Sequence, residues 1–160
     1  MSARAAARLE YLGFQKVYRY TPAKADWLAA GFPTEGEQAK QSRIKDAVQS
    51  IPTCGPDERI GTVKQRLTDA RVCAVVDKND VVLGLLEKDA WKADAQTPAQ
   101  EVMTLSPVSF RPDRSIQYAR DYLKEHQFEK TLVTNSDGQL IGLALRSDVE
   151  ELARKDDQAA

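Results

Sequence analysis

Residues 102–152 read VMTLSPVSFRPDRSIQYARDYLKEHQFEKTLVTNSDGQLIGLALRSDVEEL. A turn at Ser106-Pro107 leads into a short apolar strand, Val108-Ser109-Phe110. Pro112-Asp113 then opens a helix in which Ile116, Ala119, Tyr122 and Leu123 share one face of a 3.6-residue period. Residues 131–134 form a buried strand, and Asn135-Ser136-Asp137-Gly138 has the chemistry of a tight turn between two strands. Residues 140–145 return as a second strand, and Arg146-Ser147-Asp148 starts a closing helix with Val149 and Leu152 inward. The order is strand, helix, strand, turn, strand, helix.

The same unit occurs upstream. Ile51-Pro-Thr-Cys-Gly-Pro-Asp-Glu-Arg-Ile60 aligns with Pro107-Val-Ser-Phe-Arg-Pro-Asp-Arg-Ser-Ile116, which places Pro56 on Pro112 at an offset of 56 residues. Val75-Val-Asp-Lys-Asn-Asp-Val-Val-Leu-Gly84 aligns with residues 133–142 at an offset of 58, so the second copy has two more residues between its helix and its middle strand. Two copies are too few for a solenoid or propeller, and fit instead a pair packed on each other.

At these residues the chain resembles a tandem pair of CBS domains, the Bateman module. The resemblance rests on Val102-Met103-Thr104…Pro107-Val108 at the head of copy two and on Leu140-Ile-Gly142-Leu-Ala-Leu-Arg-Ser-Asp148 at its tail. The family tail runs Gly, two apolar residues, Thr or Ser, two variable residues, then Asp. Gly142 and Asp148 match, with Leu145 in the hydroxyl position; in copy one Gly84 matches, while Glu87 and Ala90 replace the hydroxyl and the Asp. The resemblance implies an α+β fold of two β-α-β-β-α repeats about a pseudo-two-fold axis. It also implies a homodimer formed through the CBS helices.

Composition narrows the function. Among 160 residues, 23 Lys plus Arg stand against 24 Asp plus Glu, so no global field attracts nucleic acid or an anionic membrane. No apolar run approaches the roughly 18 residues of a membrane span, and the Arg- and Ala-rich start lacks the apolar core of a secretory signal. A cytoplasmic location is expected. Cys54 and Cys73 match no metal-ligand spacing and fall in strands, where free thiols behave as small buried hydrophobes. No metal site is expected.

Ser2 caps a first helix that runs to about Leu12 and stops at Gly13. Residues 14–20 alternate as a strand would, and Thr21-Pro22 opens a helix over 23–30 that ends at Gly31. Arg8-Leu-Glu-Tyr-Leu-Gly13-Phe-Gln-Lys-Val-Tyr18, then Lys24-Ala-Asp-Trp27-Leu-Ala-Ala-Gly31-Phe-Pro-Thr-Glu-Gly36, resembles the C-terminal end of a rhodanese domain. The family's nucleophilic Cys lies on a loop before this segment, and neither Cys54 nor Cys73 replaces it. The expected organisation is a rhodanese-like remnant over 1–36, a linking helix over 37–50, CBS repeats over 51–96 and 97–153, and a frayed tail over 154–160.

The CBS resemblance implies a ligand site. Asp148, in the first turn of the closing helix, can accept hydrogen bonds from ribose hydroxyls; it equally suits a helix N-terminus, where an acid stabilises the dipole by about 0.3–1 kcal/mol. Arg146 can reach a phosphate, Leu145 withholds the usual hydroxyl, and Thr104, Ser106, Pro107 and Val108 line the base pocket by position. Copy one is the poorer site, because Ala90 offers no acceptor and Glu87 repels phosphate. His126 and the aromatic residues Trp27 and Trp91 read as solvated and as packing anchors respectively. The expectation is a non-catalytic sensor of AMP, ADP, ATP or S-adenosylmethionine that acts on a regulated protein partner and requires no cofactor. Its alternatives are a ligand-free dimerisation scaffold and an accessory protein in sulfur transfer.

Overall fold

The computed structural model describes residues 3–18, 27–28, 32, 35–36, 41–67 and 71–159. Its middle strands, β3 (Val72–Val76) and β7 (Lys130–Thr134), are continuous apolar or hydroxyl runs because both of their faces are covered. Each is followed by a tight turn and an antiparallel return strand, β4 (Val82–Glu87) or β8 (Leu140–Leu145). Each also pairs in parallel with a two-residue strand that precedes its helix, β2 (Thr53–Cys54) or β6 (Ser109–Phe110).

The fourth strand of each sheet comes from the other repeat. β1 (Val48–Gln49), at the head of copy one, pairs with β8 of copy two. β5 (Thr104–Leu105), at the head of copy two, pairs with β4 of copy one. The sheet orders are therefore β1-β8-β7-β6 and β2-β3-β4-β5. The chain on either side of the exchanged strands follows the same rule. Ile44 N–H donates to Arg114 O at 2.9 Å and Ile116 N–H to Ser42 O at 3.1 Å. Their counterparts are Ala99 N–H to Glu58 O at 2.9 Å and Ile60 N–H to Thr97 O at 3.0 Å. The two hairpin turns meet near the pseudo-two-fold axis, where Val82 N–H donates to Gly138 O at 3.1 Å and Leu140 N–H to Asp80 O at 3.0 Å.

Three apolar clusters result. One lies inside copy two, between its sheet and helices α4 (Ile116–Glu125) and α5 (Arg146–Ala159), and includes Ile44 and Ala47 from the lead-in. A second lies inside copy one, around Ile60 and Val63 of α2 (Ile60–Arg66) and Ala99 of α3 (Ala99–Val102). The third joins the repeats through Ala74, Val76, Leu85, Leu132 and Leu143. Cys54 and Cys73 are free buried thiols in the copy-one cluster. The Cys73 thiol bonds to the Cys54 sulfur, which pushes Cys73 up and holds Cys54 below the ordinary thiol range.

Several expectations need correction. α4 starts at Ile116, capped by the Ser115 hydroxyl on Tyr118 N–H at 3.3 Å, because Pro112 and Asp113 are used in the turn before it. Of the linking helix over 37–50, residues 37–40 lie outside the described residues. The remainder is a short 3-10 turn, Ile44–Ala47, followed by β1, since Ile44 and Val48 must serve the copy-two sheet. Copy one closes with a 3-10 turn, Lys88–Lys92, where copy two has a full helix. The tail does not fray at 154: α5 runs to Ala159, because Asp156 accepts from Ser42 N–H and Oγ–H at 2.7 Å each and Asp157 pairs with Arg120 at 3.0 Å.

At the N-terminus, α1 (Ala3–Tyr11) ends as expected before Gly13, whose φ is +94°. Residues 14–18 form no strand. Ser2, residues 19–26 and most of the helix expected over 23–30 lie outside the described residues. The rhodanese-like segment is therefore seen only in part.

The strand exchange needs room beside it. A Cβ on Gly142 would lie 2.5 Å from Gln49 O, and one on Gly84 would lie 2.9 Å from Thr104 O. Gly142→Ala should destabilise the protein by roughly 1–3 kcal/mol through forced backbone displacement. Gly55→Ala, with open space around it, should change stability by less than about 0.5 kcal/mol; urea unfolding of both variants checks this.

Asp156 gives a pH-dependent counterpart. Burial raises its carboxyl pKa, but bonds from the Ser42 hydroxyl and amide and from Gln117 outweigh burial and hold it below the ordinary range. A depressed folded-state pKa adds stability above the unfolded value, lost as pH falls through the folded one. Asp156→Asn should cost about 1 kcal/mol at pH 7, and the gap to the unaltered protein should close below about pH 4 in parallel melts.

Candidate functional site

The head of copy two and the tail of copy one meet because β5 pairs with β4, in the register Gly84↔Leu105 and Leu85↔Thr104. Between them opens a cleft of about 350 Å³. One wall is Thr104, Ser106, Pro107 and Val108; the facing wall carries Leu85, Glu87 and Lys88. Residues 127–132 and Leu143 complete it. Leu85, Leu132 and Leu143 are nearly fully buried and belong to the cluster that joins the repeats, so the inner surface is apolar and fixed. Val108 O is held by Leu132 N–H and by the Thr131 hydroxyl, both at 3.0 Å.

Backbone strain gathers here. Among the described non-glycine residues, only Asp80, Lys88, Ser106 and Gln127 have φ in the left-handed region, and the last three all line this cleft. Such residues cost of order 1–3 kcal/mol each and cluster at ligand sites. At Ser106 (φ 49°) the reversal turns the chain from β5 toward β6, and at Lys88 (φ 43°) it starts the 3-10 turn. At Gln127 (φ 56°) it terminates α4, with Phe128 N–H returning to Leu123 O at 2.9 Å.

The polar end of the cleft is made of opposed charges. Glu87, the last residue of β4, is ion-paired with Lys130, the first residue of β7, so the pair bridges the repeats. Glu129 is engaged by Arg146 at 2.8 Å, and Arg146 also lies 3.6 Å from Glu150. At the positions related by the pseudo-two-fold, Glu87 becomes Leu145 and Lys130 becomes Val72, and both of those pack on the inter-repeat cluster. The two halves of the fold have different chemistry where they are related by symmetry.

The expected site residues therefore divide. Thr104, Ser106, Pro107 and Val108 come together in the cleft. Asp148 does not join them. It lines a separate depression of about 280 Å³ with Asp46, Val48, Gln49, Glu151 and Lys155, and accepts a hydrogen bond from the Gln49 amide. Arg146 does not line the cleft itself and is committed to Glu129 at its edge and to Glu150, and Leu145 is committed to apolar packing. The cause is the strand exchange: each copy's tail sits beside the other copy's head, so Asp148 faces the head of copy one. Lys88, Gln127, Phe128 and Lys130 are not among the expected site residues, and Glu87 enters the expectation only as the residue that weakens the copy-one site. The offset alignment that puts Glu87 on Leu145 carries the signal, once heads and tails are read across copies. His126 is exposed, its ring tilted against that of Tyr122 with centroids 4.2 Å apart, and Trp91 packs against the copy-one cluster.

Residues 99–154 match the CBS domain family model. Solved structures extend the likeness over both repeats. CBSX2 in complex with AMP superposes with a TM-score of 0.60 at 19% identity, covering 72% of this chain and 98% of that one. A CBS domain pair in complex with 5′-methylthioadenosine and S-adenosyl-L-methionine superposes at 0.59 with 16% identity, covering 72% and 98%. The fold is that of a tandem CBS pair. An inosine-5′-monophosphate dehydrogenase from Nitrosopumilus maritimus (strain SCM1) is 32% identical over 76 residues, which is 47% of this chain and 16% of that enzyme. The chain thus spans about a sixth of that curated relative. None of the helices among the described residues is long and apolar enough to cross a membrane.

Proposed function

We propose that this CBS pair is a non-catalytic, cytoplasmic regulatory module that binds an adenosyl ligand, of the class of AMP, ADP, ATP or S-adenosylmethionine, in the cleft between Thr104 and Lys88. The observation that carries the reading is the cleft itself: aliphatic inner walls, a polar end, and three lining residues held in the left-handed region. A flat purine suits the surface formed by Val108, Leu85, Leu132 and Leu143, and Thr104 and Ser106, which line the same cleft, supply hydroxyls for a ribose in this reading. The AMP complex and the methylthioadenosine and S-adenosylmethionine complex of the two similar CBS pairs support this ligand class.

The response follows from who owns the walls. Leu85, Glu87 and Lys88 belong to copy one, and residues 104–108 and 127–132 to copy two. A ligand that fills the cleft favours whichever arrangement of the repeats closes on it, and that preference is what a regulated partner protein reads. Two chains associate through their helices in this reading. A sulfur-transfer role has no exposed thiol to support it, since both cysteines are buried. The scaffold alternative draws support from Ala90, where the family places an acid.

A thermal-shift panel with AMP, ADP, ATP, S-adenosylmethionine and GTP tests the site. Ligand at a hundred times its Kd stabilises by about 2.7 kcal/mol, a rise of roughly 5–10 °C for a chain of this size. The rise should vanish in Thr104→Trp, which fills the cleft, and persist in Asp148→Ala. The reverse pattern moves the site to the Asp148 depression, and no shift with any ligand leaves the scaffold. Light scattering should give twice the 17.8 kDa chain mass; a strict monomer sinks the dimer.

A further inference from the structure

The polar end of the cleft is unusual for a nucleotide pocket. Its four ionisable residues alternate in sign along two strand ends, Glu87-Lys88 and Glu129-Lys130. The Glu87 and Lys130 side chains are only 20% and 23% exposed, so their charges are weakly screened and their pairing is fixed by position as well as by attraction. The Arg146 guanidinium is taken by Glu129 and Glu150. A phosphate that approaches Lys130 must therefore sit against the Glu87 carboxylate. A carboxylate offers a phosphate acceptors only, so the two groups have no hydrogen bond to share.

Resting on the reading of this cleft as an adenosyl site, we infer that Glu87 determines specificity: the cleft takes an adenosyl ligand with a zwitterionic amino-acid tail and rejects one with a phosphate tail. An α-ammonium satisfies Glu87 and an α-carboxylate satisfies Lys130 and Lys88, so a zwitterion closes a ring of alternating charges and leaves none uncompensated. A phosphate supplies only acceptors and negative charge. It gains the lysines and pays the Glu87 repulsion, and discrimination arises from that repulsive element as much as from the attractive ones. The symmetry-related position, with Leu145 and Val72, offers neither charge, which confines this selectivity to one cleft per chain.

Isothermal titration of the full chain with S-adenosylmethionine, S-adenosylhomocysteine, 5′-methylthioadenosine and AMP tests this. S-adenosylhomocysteine keeps the zwitterion without the sulfonium charge, and 5′-methylthioadenosine has no amino-acid tail. Both zwitterionic ligands should bind at least about tenfold more tightly than AMP. Glu87→Gln, nearly isosteric, should weaken them and strengthen AMP, each by about tenfold. Lys130→Gln should weaken the zwitterions without strengthening AMP; melts of both variants show that they fold. AMP binding more tightly than both zwitterions, or an unchanged preference in Glu87→Gln, overturns the inference and leaves the adenosyl site standing. Binding of S-adenosylmethionine without S-adenosylhomocysteine overturns it too, because the sulfonium alone is then recognised. Failure of all four ligands removes the adenosyl reading itself.

Discussion

The fold depends on each repeat giving a strand to the other. A three-stranded sheet of β2, β3 and β4 would leave β4 as an open edge with unpaired amides and carbonyls, and the same holds for β8. β5 and β1 close those edges from across the pseudo-two-fold axis. The price of the arrangement is close approach, met at Gly84 and Gly142, where any side chain would run into the incoming strand or its neighbours. Glycine at these two positions is required by contact with the partner strand and not by a turn, since neither has a positive φ. Because lead-in segments 42–47 and 97–102 also dock on the opposite repeat, each repeat lacks part of its own core when separated from the other.

This exchange also decides where clefts form. The head of a copy leaves the exchanged strand already seated on the other copy's sheet, so the pocket behind it is floored by the other copy's tail. A ligand site in such a frame is shared by construction. That gives the Glu87–Lys130 pair its position: it is an intramolecular contact between repeats and, in the same place, the polar lining of the cleft. Anything that competes for one of these charges acts on the interface between repeats directly, without a path through the core.

Much of the fold was legible in the sequence because it is encoded by local signals used twice. The apolar runs at 72–76 and 130–134, the Asp/Asn/Gly turns after them, and the returning strands need only neighbours within a few residues to be recognised. The 56- and 58-residue offsets reappear as matched strands, matched cross-axis hydrogen bonds and matched glycines. What failed lay at the joints. Residues 41–50 contain helix formers, but Ile44 and Val48 are claimed by the copy-two core and sheet, and tertiary demand overrides propensity there. The tail after Leu152 looked too polar to stay ordered, yet Asp156 finds Ser42, a partner 114 residues away in sequence.

The candidate site was half legible for the same reason. Thr104, Ser106, Pro107 and Val108 are one contiguous segment, and a contiguous segment keeps its members together wherever the chain goes. The CBS resemblance groups Asp148 with them, and in sequence both lie in copy two. Strand exchange separates them in space. Once heads are matched with opposite tails, the residues facing 104–108 are Leu85, Glu87 and Lys88, and the acid that reads as a defect of copy one becomes a charge at the polar end of the cleft. The substitution is informative because it is paired: Lys130 stands opposite Glu87 where the symmetry-related site has Val72 opposite Leu145. An acid that merely spoiled a phosphate site would need no cation across the repeat boundary. Its presence argues that the polar end is built for both signs of charge.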